Sequence, residues 1–350
     1  MIRALLLLLL CLMPVAGHAE WREASSKHFL VYSEGSEASL RNAIIRLEKF
    51  DYLLRNFAGR EDVAEPVKIK VYMVPDIGTV QDLYPGSVDG VAGYYSGDVR
   101  GPITVVPRED FGGNLGMQAR EVLYHELAHH FMLQYFPGTY PAWYVEGFAD
   151  YYGTIDIDAN NNDITLGRPN NSRYFSLRGT DWLPVETLLT ATNYDDVGDR
   201  LHLLYAEGWL LVHYLGNTPE RSGQLEKYLN GIAKGQTYTE AARAAFGDLD
   251  KLNSELRRYS KYNRLPALKI ALKPVDLGPI TVRTLSPAED ALIKHDIRIG
   301  TGIFKADIAD FAAEVEAIAA RYPGDPYALR LTTEAQRLAG RTDAALQSVD

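Results

Sequence analysis

Apolar residues recur with two periods along this chain, and each period predicts a different element. Alternation marks strands. Val67-Lys68-Ile69-Lys70-Val71-Tyr72-Met73-Val74 turns every second side chain to one face, and His28-Phe29-Leu30-Val31-Tyr32 is similarly β-rich. Tyr94-Tyr95 and Ile103-Thr104-Val105-Val106, set apart by Gly-rich turns, predict two more strands, one of them near a sheet edge. Helical spacing takes over elsewhere. Leu40, Ile44, Leu47 and Leu54 predict an amphipathic helix from about Glu37 to Phe57. Val122, Leu123, Leu127, Phe131 and Met132 predict a second, with Asn114 after Gly112-Gly113 as its N-cap and Phe136-Pro137-Gly138 as its stop. Pro141 opens a third, where Trp143, Val145, Phe148 and Tyr152 can pack against the second. Leu203 to Leu215 is an apolar helix suited to backing a site. Strands followed by helices predict an α+β fold.

The second and third helices carry the chemistry. In His125-Glu126-Leu127-Ala128-His129 the two histidines lie one helical turn apart on one face, so both imidazoles can grip one metal ion. The carboxylate of Glu126 can then reach a water activated by that metal. Zinc suits His nitrogen and carboxylate oxygen, and a catalytic zinc keeps three protein ligands and one open position. The third ligand must come from elsewhere. A metzincin extension would need Gly and His where Met132 and Tyr135 stand. Glu146 lies seventeen residues past His129 in Trp143-Tyr144-Val145-Glu146-Gly147-Phe148-Ala149-Asp150, with Asp150 one turn further on the same face.

With these residues the chain resembles the gluzincins, and more closely the MA-like peptidase domains of bacterial envelope proteins, which carry a similar Glu-Gly-Phe-Ala-Asp-Tyr motif. The resemblance implies a thermolysin-like zincin domain, a mixed sheet plus active-site helices, with Zn2+ held by His125, His129 and Glu146. It further implies that Asp150 accepts the other ring N–H of His125. A Tyr-Ala-x-x-Trp helix that follows in such domains points to Tyr205 as donor to the developing oxyanion, with His202 and His213 as weaker rivals. A tyrosine on an apolar helix is more often core, and the chain has 22 of them. His130 points about 100° away from its neighbour, which suits packing or exposure rather than coordination.

Four segments follow from this reading. Residues 1–19, with Arg3, six leucines from Leu5 to Leu10 and Gly17-His18-Ala19, predict a cleaved signal peptide and no membrane span after its removal. Residues 20–262 form the metallopeptidase-like domain and 263–305 a Pro/Gly-punctuated connector with one or two short strands. Residues 306–350 are Ala-rich, and Ala328 to Leu346 resembles tetratricopeptide helices, an incomplete set that could dock a protein partner. Export to a bacterial periplasm or the extracellular space fits a chain whose one cysteine, Cys11, lies in the signal.

A net charge of −10 without a basic block argues against nucleic acid as a partner. Asp156-Ile157-Asp158-Ala159-Asn160-Asn161-Asn162-Asp163 is rich in oxygen ligands, yet it lacks the sixth-position Gly and closing Glu of an EF-hand, so a polar turn explains it better than calcium. The expected function is an exported zinc metallopeptidase cleaving peptide or protein substrates, with Glu126 as general base. The alternatives are a non-catalytic zinc scaffold docking partners through its C-terminal helices, and a hydrolase of non-peptide amides.

Overall fold

Alternating strands assemble first into one mixed sheet. In the computed structural model, which describes residues 20–347 apart from 65, 87–89, 99, 111–117 and 180, β3 (Ile69–Val74) lies between two parallel partners, β2 (Phe29–Ser33) and β5 (Gly101–Pro107). Antiparallel strands flank this trio. β1 (Arg22–Ser25) pairs with β2, and β9 (Thr281–Thr284) pairs with β1 to form one edge. β4 (Tyr94–Asp98) pairs with β5 and forms the other edge, giving the order β4-β5-β3-β2-β1-β9. The expected signal peptide and the expected cap Asn114 lie outside the described residues.

One sheet face is covered by the two helices that the periodicity predicts. α1 (Glu37–Phe57) starts at Ser36, whose hydroxyl accepts the N–H of Ser39. It buries Leu40, Ile44, Leu47 and Leu54 against Phe29, Val31, Ile69 and Val71. α2 (Ile77–Leu83) is a short helix capped by Asp76. α3 (Ala119–Tyr135) brings Val122, Leu123, Leu127 and Phe131 into the same core. Each such aliphatic side chain contributes about 1.5–3 kcal/mol on leaving water. α3 is buried almost all round: Tyr124, His125, Glu126 and Ala128 are as enclosed as its apolar flank.

The helices that follow form a lobe with its own core. α4 (Ala142–Gly153) begins one residue later than the sequence suggests, with Pro141 as the N-cap in an extended conformation. It runs beside α7 (Leu201–Asn217). α5 (Asn171–Ser176), α6 (Val185–Thr190), α8 (Gln224–Ala233), α9 (Tyr238–Phe246) and α10 (Leu249–Tyr259) surround the pair. Trp143, Leu188, Trp209, Tyr228 and Leu252 lie in the centre. A small antiparallel sheet of β6 (Asp156–Ile157), β7 (Asp163–Leu166) and β8 (Leu268–Ala271) instead adds Ile157, Ile164 and Leu166 to the core of the large sheet.

Residues 263–305, expected as a connector, contain β8, β9 and α11 (Pro287–Thr301). Ile293 and Ile297 of α11 cover the second face of the large sheet with Trp21, Tyr72 and Val105. α11 also packs with α12 (Ile308–Ala319), α13 (Pro326–Leu338) and α14 (Thr342–Gln347) through Leu292, Phe311, Val315 and Leu331. The result is a mixed α/β protein in which a sheet is covered by helices on both faces. Among the described residues no helix is long and apolar enough to cross a membrane.

Candidate metal centre

Three helices meet where the two lobes touch, and glycines set how closely. A Cβ on Gly147 would lie 2.5 Å from the backbone of Gly208, and one on Gly208 would lie 2.5 Å from the carbonyl oxygen of Trp143. Only hydrogen fits at either position, so α4 and α7 approach backbone to backbone. A Cβ on Gly93 would lie 2.5 Å from Val122 Cγ1. The backbone just before β4 therefore rests directly on the Val122 side chain of α3. Together these contacts fix α3, α4 and the edge strand around one point.

At that point three ligand atoms converge. The Nε2 atoms of His125 and His129 are 3.1 Å apart, and Oε2 of Glu146 is 3.3 Å from the first and 3.6 Å from the second. Ligands at about 2.0–2.1 Å from one tetrahedral ion stand about 3.3–3.4 Å from one another, so the observed spacings fit a single small cation. Glu146 Oε2 is buried without a hydrogen-bond partner. A buried carboxylate oxygen facing two imidazole nitrogens calls for positive charge between them.

The surroundings set that charge balance. His125 Nδ1 lies 3.0 Å from Oδ1 of Asp150. The guanidinium of Arg173, on α5, donates from Nε to Asp150 Oδ2 at 2.7 Å and from Nη2 to Oδ1 at 3.3 Å. Burial alone would raise the Asp150 carboxyl, yet the Arg173 charge and the His125 ring hold it below the usual range. Glu146 is held well below its usual range in the same way, with its burial overcome by both histidines. For His125, burial works against the charged ring, but Asp150 and Glu146 push it up to about 10. These carboxylates hold a cation at Nε2, whether a proton or a metal.

Glu126 lies beside the histidines and is buried. Burial raises its carboxyl, the His125 and His129 charges lower it, Glu146 raises it, and a backbone N–H of Tyr95 on β4 lowers it again; the net direction is upward. A carboxyl raised in this way holds a proton more readily than an ordinary glutamate, as a general base must.

The described structure brings His125, Glu126, His129, Glu146 and Asp150 together. Tyr205 is close, its half-buried ring lying 4.5 Å beneath the Arg173 guanidinium. Burial and the Glu146 charge keep its phenol protonated. His213 is not part of the site: it bonds Tyr259 Oη and the carbonyl of Gly167 inside the helical lobe. His202 is exposed, and His130 Nδ1 meets Tyr95 Oη at 3.0 Å. In the Asp156–Asp163 segment, expected to be a polar turn, the ammonium of Lys49 donates to the carbonyls of Asp158, Ala159 and Asn161 at 2.9, 2.9 and 2.7 Å.

Two residues at the site carry no sequence signal. Tyr194, in a 3-10 turn (Tyr194–Arg200), donates its hydroxyl to Glu146 Oε1 at 2.6 Å. Arg173 reaches Asp150 from a helix of six residues. Neither lies in a periodic segment or a recognisable motif; only three-dimensional proximity marks them. Comparison with known proteins supplies no relative, since no family model and no curated protein matches the chain.

Proposed function

We propose that the chain is an exported, zinc-dependent peptidase with the thermolysin-like arrangement of a gluzincin. The observation that carries this reading is the convergence of His125, His129 and Glu146 on one point with Glu126 alongside. A structural zinc site has no use for a buried carboxylate beside its ligands, whereas a hydrolytic one needs a general base there. When bound, zinc supplies Lewis acidity that acidifies a water and polarises a carbonyl.

The chain's own groups do the rest. Glu126 accepts a proton at a carboxylate oxygen and passes it to the leaving amine, and the N–H of Tyr95 keeps that carboxylate in place. Asp150 accepts a hydrogen bond from the Nδ1–H of His125, which keeps the proton there and leaves the Nε2 lone pair free for the metal. Arg173 keeps Asp150 ionised and its oxygens oriented. Because β4 is a sheet edge, an extended peptide can add to it through main-chain hydrogen bonds and lie across the centre. The oxyanion donor comes from Tyr205 or Tyr194. The resemblance favours the first, and the bond to Glu146 brings the second into the same site.

Metal analysis of the protein, paired with digestion of a mixed peptide library, tests the proposal. Wild type is expected to hold one zinc and cleave. Glu126→Gln should keep the zinc and lose about two to four orders of magnitude in rate. Zinc binding without cleavage by wild type would instead favour the scaffold reading. In the same assay, Tyr205→Phe and Tyr194→Phe identify the oxyanion donor as the variant whose kcat falls with KM unchanged.

A further inference from the structure

Away from the metal centre, the helical lobe carries a cavity of 340 Å3 walled by Tyr174, Leu177 and Trp182 and by three cations, Arg178, Arg257 and Lys261. Among the described residues no Asp or Glu lines it, although carboxylates outnumber Lys and Arg by 46 to 36 over the chain. The contrast with the charged cavity beneath the C-terminal helices is direct. There Arg283 pairs with Glu23 and Glu289, and Arg330 pairs with Asp296 and Glu334. None of Arg178, Arg257 and Lys261 forms an ion pair among the described residues. The carboxyl of Glu207 interacts with Arg257 without forming an ion pair, and it accepts the backbone N–H of Leu183 at 2.7 Å.

The cations are also held in place. The Arg178 guanidinium lies 4.5 Å over the ring of Phe175, and that of Arg257 lies 5.0 Å over Trp182. Stacking occupies the faces of these planar groups and leaves their N–H edges free to donate. Aromatic walls with unspent donors at the rim complement a flat apolar group that ends in an anion. We propose that this cavity binds an aromatic ligand bearing a carboxylate or phosphate, either a free small molecule or the aromatic C-terminal residue of a polypeptide. The proposal is independent of the hydrolytic reading, although the cavity adjoins the short helix that carries Arg173.

Calorimetric titration of the full chain with phenyl phosphate tests it, with zinc bound and again after chelation. One saturable site is expected in both states, weakened by salt. Arg178→Gln combined with Lys261→Gln alters two exposed side chains and should weaken binding by about tenfold or more, with an unchanged melting temperature to confirm the fold. Uncharged benzyl alcohol should not bind. N-acetylated dipeptides ending in phenylalanine, as free acid and as amide, separate the sources. Preference for the acid identifies a chain end, and binding of phenyl phosphate alone identifies a small anion. The proposal is overturned by no saturation up to about 5 mM, by binding that disappears with the metal, or by equal binding in the double variant.

Discussion

Two clusters of histidine and carboxylate are built into this protein from the same residue types. His125, His129 and Glu146 form one; His28, Asp51 and Asp62 form the other, and in both the ligand atoms lie within 4.8 Å of one another. In the second cluster every donor is already taken. His28 Nδ1 lies 2.7 Å from Glu48 Oε2, and its Nε2 lies 2.9 Å from the carbonyl oxygen of Val63. Two acceptors require two ring protons, so this imidazole is a cation. Burial works against that charge, but Glu48 and Asp51 raise the ring above its ordinary value. Arg55 takes Asp51 at 2.6 Å, and Lys27 takes Asp62 at 3.0 Å. In the first cluster no Lys or Arg lies between the ligand atoms: its arginine stands behind Asp150, and Glu146 Oε2 faces the two imidazoles without a hydrogen bond. Proximity alone therefore does not make a metal site. Unspent donors do.

Removing a ligand from each cluster should separate them most sharply. Glu146→Ala is expected to weaken zinc binding by more than about a hundredfold, since loss even of an outer partner costs 10–100-fold. Competitive titration against a chromogenic chelator measures this, and unchanged affinity would move the third ligand elsewhere. His28→Ala should leave the stoichiometry at one zinc. It should instead cost about 3–5 kcal/mol of stability, because it removes the charged partner of the buried Glu48 carboxylate and leaves only its hydrogen bonds from Ser26 Oγ and the residue-28 N–H. Denaturant unfolding reads that loss, and a fall in bound zinc would overturn the assignment of His28 to structure.

The smallest effect concerns pH. A folded-state pKa raised above the unfolded value gives His28 a stabilising contribution that is complete below about 6.5 and is lost as pH rises through the folded value. Glu207, pushed up to about 8, titrates with the same sign between about 4.5 and 8. The difference between wild type and His28→Gln isolates the histidine. In chelated protein the gap in melting temperature should shrink as pH rises above about 6.5, and a constant gap would show that His28 is neutral.

The candidate metal ligands were legible in the sequence because helical geometry is local. Four residues bring His125 to His129 and Glu146 to Asp150 on fixed faces, whatever the rest of the chain does. The main strands and α1 were legible for the same reason, through period. What escaped was non-local. Tyr194 and Arg173 reach the site from a 3-10 turn and a short helix, where no period constrains a side chain. β9 is four residues long and completes a sheet begun 260 residues earlier, so its pairing with β1 leaves no trace in its own composition. His28 looked like one residue of a strand, because its partners Glu48 and Asp62 belong to other segments.

The loop that Lys49 fills has a practical bearing on experiments with metal. Its carbonyl oxygens face an ammonium covalently tied to α1, so the chain carries this counter-ion itself rather than drawing one from its surroundings. Stripping divalent ions from solution leaves that turn in place, and His28 likewise keeps its internal partners. Among the described residues, a chelator should therefore act as a selective reagent for the proposed centre at His125, His129 and Glu146.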